Sequence, residues 1–285
     1  CFPLRINLNT VYSKFVDIYI IMVQYVSDAY IAPNKKGLSF LALASKYIYL
    51  EEVIKIKNVN YHDMSLTFIP NTDIPLKYCN EWMSKVISKA MSFDEKLRIK
   101  HKKNTFKLYV FDLPRPFERE KIYFSGRAYV VRIRSFDLAF LLGIRNALKN
   151  EDCGVKIMSS NIVPVSYKPI TTLITLSPII CTLNDKYWVK EDGILTLRDK
   201  IFSNACRKAK AVYNDFEEPE DNFIEGIIQL NNIPIYTKYK GASLLGAKVE
   251  VTVKGDGKSQ ILAYTIMGAG MLEKNSIGYG FCIAK

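Results

Sequence analysis

The chain has 285 residues, 49% of them hydrophobic and 24% charged, a globular composition that excludes wholesale disorder. Forty Lys and Arg stand against 28 Asp and Glu, a net charge of +12, which favours a polyanionic partner. Two His (His62 and His101) and six Cys without a CxxC pair argue against structural zinc and a disulfide scaffold, so no metal site is expected and a reducing cytoplasm is the expected compartment.

The most apolar stretch, residues 15–32, contains Asp17 and Asp28 and falls short of the roughly 20 apolar residues that a spanning helix needs. No signal-peptide layout precedes it, and a soluble chain is expected. Residues 1–63 are read as an N-terminal extension, either native or translated upstream sequence before Met64, with the second favoured. A chain starting at Met64 is then expected to fold by itself.

A first strand is expected over 64–70, stopping at Pro70. A helix follows from Pro75, with Leu76, Cys79, Met83, Val86, Ile87 and Ala90 mostly at spacings of three and four. Ser92 and Glu95 read as a capping box that opens a short basic helix ending near His101. From Thr105, Phe106, Leu108 and Val110 alternate with Lys107, Tyr109 and Phe111, as in a strand. A hairpin through Gly126 leads to a strand that sets Tyr129, Val131 and Ile133 against Val130, Arg132 and Arg134. An amphipathic helix at 136–149 and a strand opening at Gly154 complete the order β, α, β, β, α, β, the ferredoxin-like unit.

A similar set follows. Strands are expected at 171–182 and 186–190, then a basic helix at 196–213 carrying Arg198, Lys200, Arg207, Lys208 and Lys210. An acidic linker, Glu217 to Asp221, precedes strands at 233–239, 247–254 and 260–267. The expected fold class is α+β: two tandem ferredoxin-like modules, 64–165 and 166–285, after the segment 1–63.

Residues 268–281 are glycine-rich. Gly268 and Gly270 at one end, and Gly278 and Gly280 at the other, permit tight turns and close approach of a partner. Exposed amides around Lys274, Asn275 and Ser276 suit phosphate or an RNA backbone, while a plain loop between two strands fits the same residues. A nucleotide-binding loop fits poorly, because no Gly-Lys-Ser/Thr closes the segment. Arg132 with Arg134, the helix at 198–210, and Lys238 with Lys240 read either as solvated faces or as grips on the phosphates of an RNA stem.

Residues 260–281 resemble the C-terminal signature of the CRISPR-associated endoribonucleases of the RAMP superfamily. One branch reads Gly-x-Gly-x-x-Glu-x-Asn-Ser-x-Gly-Phe-Gly-Phe, which the chain matches nearly throughout; one departure is Ile277, where that branch often has Arg. Upstream, His101-Lys-Lys-Asn-Thr-Phe-Lys107-Leu-Tyr109-Val-Phe111 is similar to the same branch's His-x(5)-Lys-x-Tyr-x-Phe. The likeness covers about 64–285.

The resemblance implies cleavage of precursor CRISPR RNA within its repeats, without a metal or other cofactor. The ribose 2′-hydroxyl attacks the adjacent phosphorus, leaving a 2′,3′-cyclic phosphate and a 5′-hydroxyl. It assigns His101 as general base or acid and Lys107 as the cation facing the phosphorane. Taken alone, a His at the end of a basic helix is more often a solvated surface residue. Tyr109, on the face of Lys107, and Tyr78, near the start of the first helix, are further catalytic candidates. Lys100, Lys102 and Lys103 are expected to lower the pKa of His101. The implied RNA contacts are Gly268, Gly270, Lys274, Asn275, Ser276, Gly278 and Gly280. Repeat RNA is the expected partner, with an effector complex and a second copy of the chain left open, and no membrane. The alternative is a non-catalytic RNA-binding RAMP subunit of an effector complex.

Overall fold

A computed structural model describes residues 59–103 and 105–285; the expectations for the apolar stretch at 15–32 lie outside them. In the first module, β1 (Tyr61–Pro70) leads to α1 (Cys79–Ser92), α2 (Glu95–Lys102), β2 (Tyr109–Phe111) and β3 (Tyr129–Ser135). α3 (Leu138–Asn150) and β4 (Val155–Val165) complete it. The strands form one antiparallel sheet in the order β2-β3-β1-β4, the ferredoxin-like arrangement. Met64, Leu66 and Phe68 alternate inward along β1 and share a core with Met83 and Ile87 of α1 and with Leu141 and Ile144 of α3.

The second module repeats the topology. β5 (Thr172–Thr175) is followed by α4 (Ile194–Val212), β6 (Ile224–Gln229), β7 (Ile235–Tyr239) and β8 (Ala242–Gly246). Then come β9 (Val249–Val253), α5 (Gly257–Ala269) and β10 (Cys282–Ala284). Its antiparallel sheet runs β6-β9-β5-β10, the same spatial order as in the first module. β7 and β8 stand apart as a hairpin, with Lys240 (φ 48°) and Gly241 (φ 79°) as its two-residue left-handed turn.

The structure corrects several local expectations. The boundary at Met64 cuts through β1, whose first residues Tyr61 and Asp63 are buried. The cap of α2 is Asp94, whose carboxylate accepts from the Leu97 amide at 3.0 Å; Ser92 ends α1 and donates to the Lys89 carbonyl. The strand expected from Thr105 begins only at Tyr109, because Leu108 turns left-handed (φ 52°). β6 and β8 were not anticipated.

The largest correction is 260–267, which lies within helix α5 rather than a strand. Every residue of α5 except Lys258 is buried, so no polar face marks a helical period, and a continuous apolar run fits strand and buried helix alike. Asp256 caps the helix through the Ser259 amide at 3.0 Å. α5 packs on α4 and also on β1, β2 and β3 of the first module. Gly268 permits that approach, since a Cβ there would lie 2.5 Å from the Phe136 ring and 2.7 Å from Tyr61. No helix among the described residues is long and apolar enough to cross a membrane.

Candidate functional site

The site grows from the end of α2. Lys100, His101 and Lys102 occupy its last turn, where cations oppose the negative end of the helix dipole. The chain then folds back, and Lys107 Nζ donates to the carbonyls of Lys100 (2.9 Å), His101 (2.8 Å) and Lys103 (2.5 Å). These are acceptors that a helix end leaves without partners. The His101 side chain is exposed, and its imidazole has no hydrogen-bond partner among the described residues. Desolvation, then the charges of Lys107 and Lys240, lower its pKa below the usual 6.5, so the neutral base prevails near pH 7. The direction is the expected one, but the cations responsible are not the sequence neighbours Lys100, Lys102 and Lys103.

Lys240 reaches this point on the tip of the β7–β8 hairpin. Its amide donates to Glu81 Oε2 at 2.8 Å, and Tyr239 shares a 3.0 Å hydrogen bond with Ser84, so the hairpin is docked on α1. Tyr109 is buried below, its ring stacked on Phe140 at 4.5 Å and its hydroxyl donating to the Ser276 carbonyl at 3.2 Å. Burial holds its pKa well above the usual tyrosine value. Tyr78 is 43% exposed at the start of α1 beneath the Lys77 ammonium, and no contact joins it to His101 or Lys107.

The glycine segment is organised around Asn275. Its Nδ2 donates to the carbonyls of Met271 (3.0 Å) and Tyr279 (2.9 Å), and its Oδ1 accepts from Lys208 Nζ at 2.6 Å. Lys208 also donates to the carbonyls of Gly270 and Leu272, both at 2.7 Å. From the first module, Asn80 Nδ2 donates to the Ile277 and Gly278 carbonyls at 3.0 and 3.2 Å. The segment is therefore clamped from both modules.

The exposure expected of this segment is corrected: Gly268, Gly270, Asn275, Gly278 and Gly280 are all buried. A Cβ on Gly280 (φ 72°) would lie 2.1 Å from the Met271 carbonyl oxygen, and one on Gly278 (φ 91°) would press on Asn80 and Phe111. Lys274 is exposed and Ser276 half-buried; the amides of Lys274, Asn275 and Ser276 have no partner among the described residues.

Two basic groupings also change meaning. Arg134 is 3% exposed; its Nε donates to Asp63 at 2.8 Å, and Nη1 donates to the carbonyls of Cys282 (2.7 Å) and Met267 (3.3 Å). It is a rivet between modules and offers no surface to an RNA stem. Arg132, half-exposed, pairs with the same Asp63. Cross-strand register places Asp63 opposite Arg134 and two residues from the partner of Arg132. Lys208 is buried, and desolvation draws its pKa down to about 7. Lys238 and Lys240 are exposed.

Lys107 and Tyr109 meet Lys274, Ser276, Asn204 and Lys208 around a cleft of about 290 Å³, while His101 is not in its lining. A larger cleft of about 840 Å³ is lined by Lys77, Arg115, Lys121, Lys238 and Lys248, with Tyr236 beside them. Sequence reasoning missed Asp63, Asn80, Asn204 and the docking pair Glu81 and Ser84. It misplaced Lys208, although Leu197, Ile201, Asn204 and Lys208 follow the inward spacing of α4.

No family model matches the chain, and no curated protein matches it. Solved structures do. A Cas6-related gene product from Pyrococcus furiosus is 18% identical, with a TM-score of 0.58 over 79% of this chain and 98% of its own. A RAMP protein binding different RNA substrates is 16% identical, with a TM-score of 0.59 over 79% and 99%. A Cas6 product complex is 10% identical, with a TM-score of 0.56 over 80% and 100%. At this identity the likeness is one of fold: the two tandem ferredoxin-like modules are those of Cas6 and RAMP structures.

Proposed function

We propose that the chain is a CRISPR-associated, Cas6-type endoribonuclease of the RAMP superfamily that cuts precursor CRISPR RNA within its repeats in the cytoplasm. The observation that carries this reading is the unpaired imidazole of His101, kept neutral beside Lys107 and Lys240 on a fold shared with Cas6. A neutral imidazole is ready to accept the proton of a ribose 2′-hydroxyl. The 2′-oxygen then bonds to phosphorus, the bond from phosphorus to the 5′-oxygen breaks, and that oxygen takes a proton from water as it leaves. Lys107 and Lys240 offset the charge that gathers on the phosphorane. Lys274, with the free amides at the tip of the glycine segment, supplies contacts to the RNA backbone. Lys238 and its cationic neighbours in the larger cleft track the strand by its phosphates.

One observation favours a second reading, a non-catalytic RNA-binding subunit: the Lys107 ammonium is already occupied by three carbonyls. Cleavage of a repeat RNA from an array beside the gene, in excess EDTA, separates the two. The wild-type chain is expected to cut, a deoxyribose just upstream of the scissile phosphate to block cutting, and His101→Ala to slow it by roughly 10²–10⁴-fold while binding persists. A wild-type chain that binds the repeat without cutting it decides for the subunit.

A further inference from the structure

The 290 Å³ cleft has a floor and a rim of different chemistry. Lys208 and Asn204, 2% and 4% exposed, lie deep, while Phe106, 38% exposed, and Lys274 lie outside. Leu108, Tyr109, Ala269 and Leu272 make the walls largely apolar. Lys208 is fully engaged, because an ammonium has three hydrogens and all three go to the Gly270, Leu272 and Asn275 oxygens. Asn204 is the opposite case. Its buried Oδ1 has no hydrogen-bond partner, and no bond of its amide to any described residue exists.

A buried amide oxygen without a donor costs stability, and Asn204 sits one turn from Lys208 on the inward face of α4, where an apolar residue would cost nothing. We propose that Asn204 is a specificity-determining residue: the cleft receives one unstacked nucleobase next to the scissile phosphate, and the Asn204 amide reads its hydrogen-bonding edge. The Oδ1 atom lies sealed beneath the cleft, so the amide nitrogen is the group that meets the base, donating to an acceptor on that edge, a ring nitrogen or a carbonyl oxygen. Phe106 gives the ring a face to stack on, and the exposed Lys274 lies where the attached phosphates leave the cleft. Only a single-stranded or splayed-out base exposes that edge, so the nucleotide read lies outside any stem.

This inference rests on the endoribonuclease reading, and its test separates the two. Repeat RNAs carrying each of the four bases at the nucleotides flanking the scissile phosphate are cut by the full chain, by Asn204→Leu and by Asn204→Ser. The wild type is expected to prefer one base over the other three at one flanking position by roughly tenfold or more. Asn204→Leu and Asn204→Ser are expected to lose that preference and still cut, and Asn204→Leu to melt no lower than the wild type. A wild type without base preference at the flanking nucleotides, or variants that retain the full preference, overturns the assignment while leaving the endoribonuclease intact. A wild type that cuts none of the RNAs overturns the underlying reading, and the inference with it.

Discussion

Along the seam between the modules, Arg134, Lys208, Asn80 and Asn275 aim their donors at backbone carbonyls, at one another or at Asp63. At the end of α2, by contrast, the His101 imidazole has no partner, and Lys240 on the hairpin tip is exposed. Both regions are written in cations and amides, yet the first is internal scaffolding, while in the second only Lys107 is taken up, by three carbonyls, and His101 and Lys240 stay free to meet a ligand. What separates them is not charge but whether the group's hydrogen-bonding capacity is already used. A buried cation with all donors satisfied behaves as part of the core. An exposed one with none satisfied is available to a ligand.

The contrast is testable first where the effect is largest. Asp63→Ala leaves Arg134 buried without its carboxylate, and unfolding experiments are expected to show a loss of about 3–5 kcal/mol. A chain begun at Met64, lacking Tyr61 and Asp63, should suffer at least as much, opposite to the expectation of a self-sufficient 64–285. Gly280→Ala comes next: its left-handed backbone and the Met271 carbonyl should together cost about 3 kcal/mol. His101→Ala, on the other side of the comparison, should change stability by less than about 0.5 kcal/mol in the same assay. Equal destabilisation by Gly280→Ala and His101→Ala would erase the distinction between the two regions.

The smallest effect is a titration. With only His62 and His101 in the chain, imidazole NMR resolves each, and His62→Gln assigns them. His101 is expected to titrate below 6.5 and to move up in Lys240→Gln, because removing a nearby cation favours the imidazolium. The neutral base is therefore lost only as pH falls through that lowered value, and the acid limb of cleavage should follow it. A His101 pKa at or above 6.5 would remove the poised base.

The first module was legible because its helices are amphipathic and its strands alternate. Val131 and Ile133 against Arg132 announced β3, and Cys79, Met83 and Val86 announced α1. The second module hid α5, which is buried on every side, and β6, whose Ile224-Glu-Gly-Ile-Ile-Gln run neither alternates nor keeps a continuous apolar face. His101 and Lys107 were singled out only through the family resemblance, since a His ending a basic helix reads by itself as a solvated surface residue. Their neighbours in space, Lys240 and Glu81, sit far apart in sequence, and no local pattern reveals that the hairpin tip docks on α1. The opposite fate of Arg134 was hidden for a related reason: its acceptors, Met267 and Cys282, are more than 130 residues away.

That separation governs the order of events during synthesis. Domains on a growing chain assemble from the N-terminus, so the first module can close its sheet and its own core early. Arg134 must then wait for residues 267 and 282, and Lys208 for the oxygens of 270, 272 and 275. The Ser276 carbonyl that receives Tyr109 arrives in the same late stretch. A nascent chain halted before that stretch displays Lys107 and Tyr109 without the opposite wall of the smaller cleft, so that cleft forms only after residue 276 has emerged.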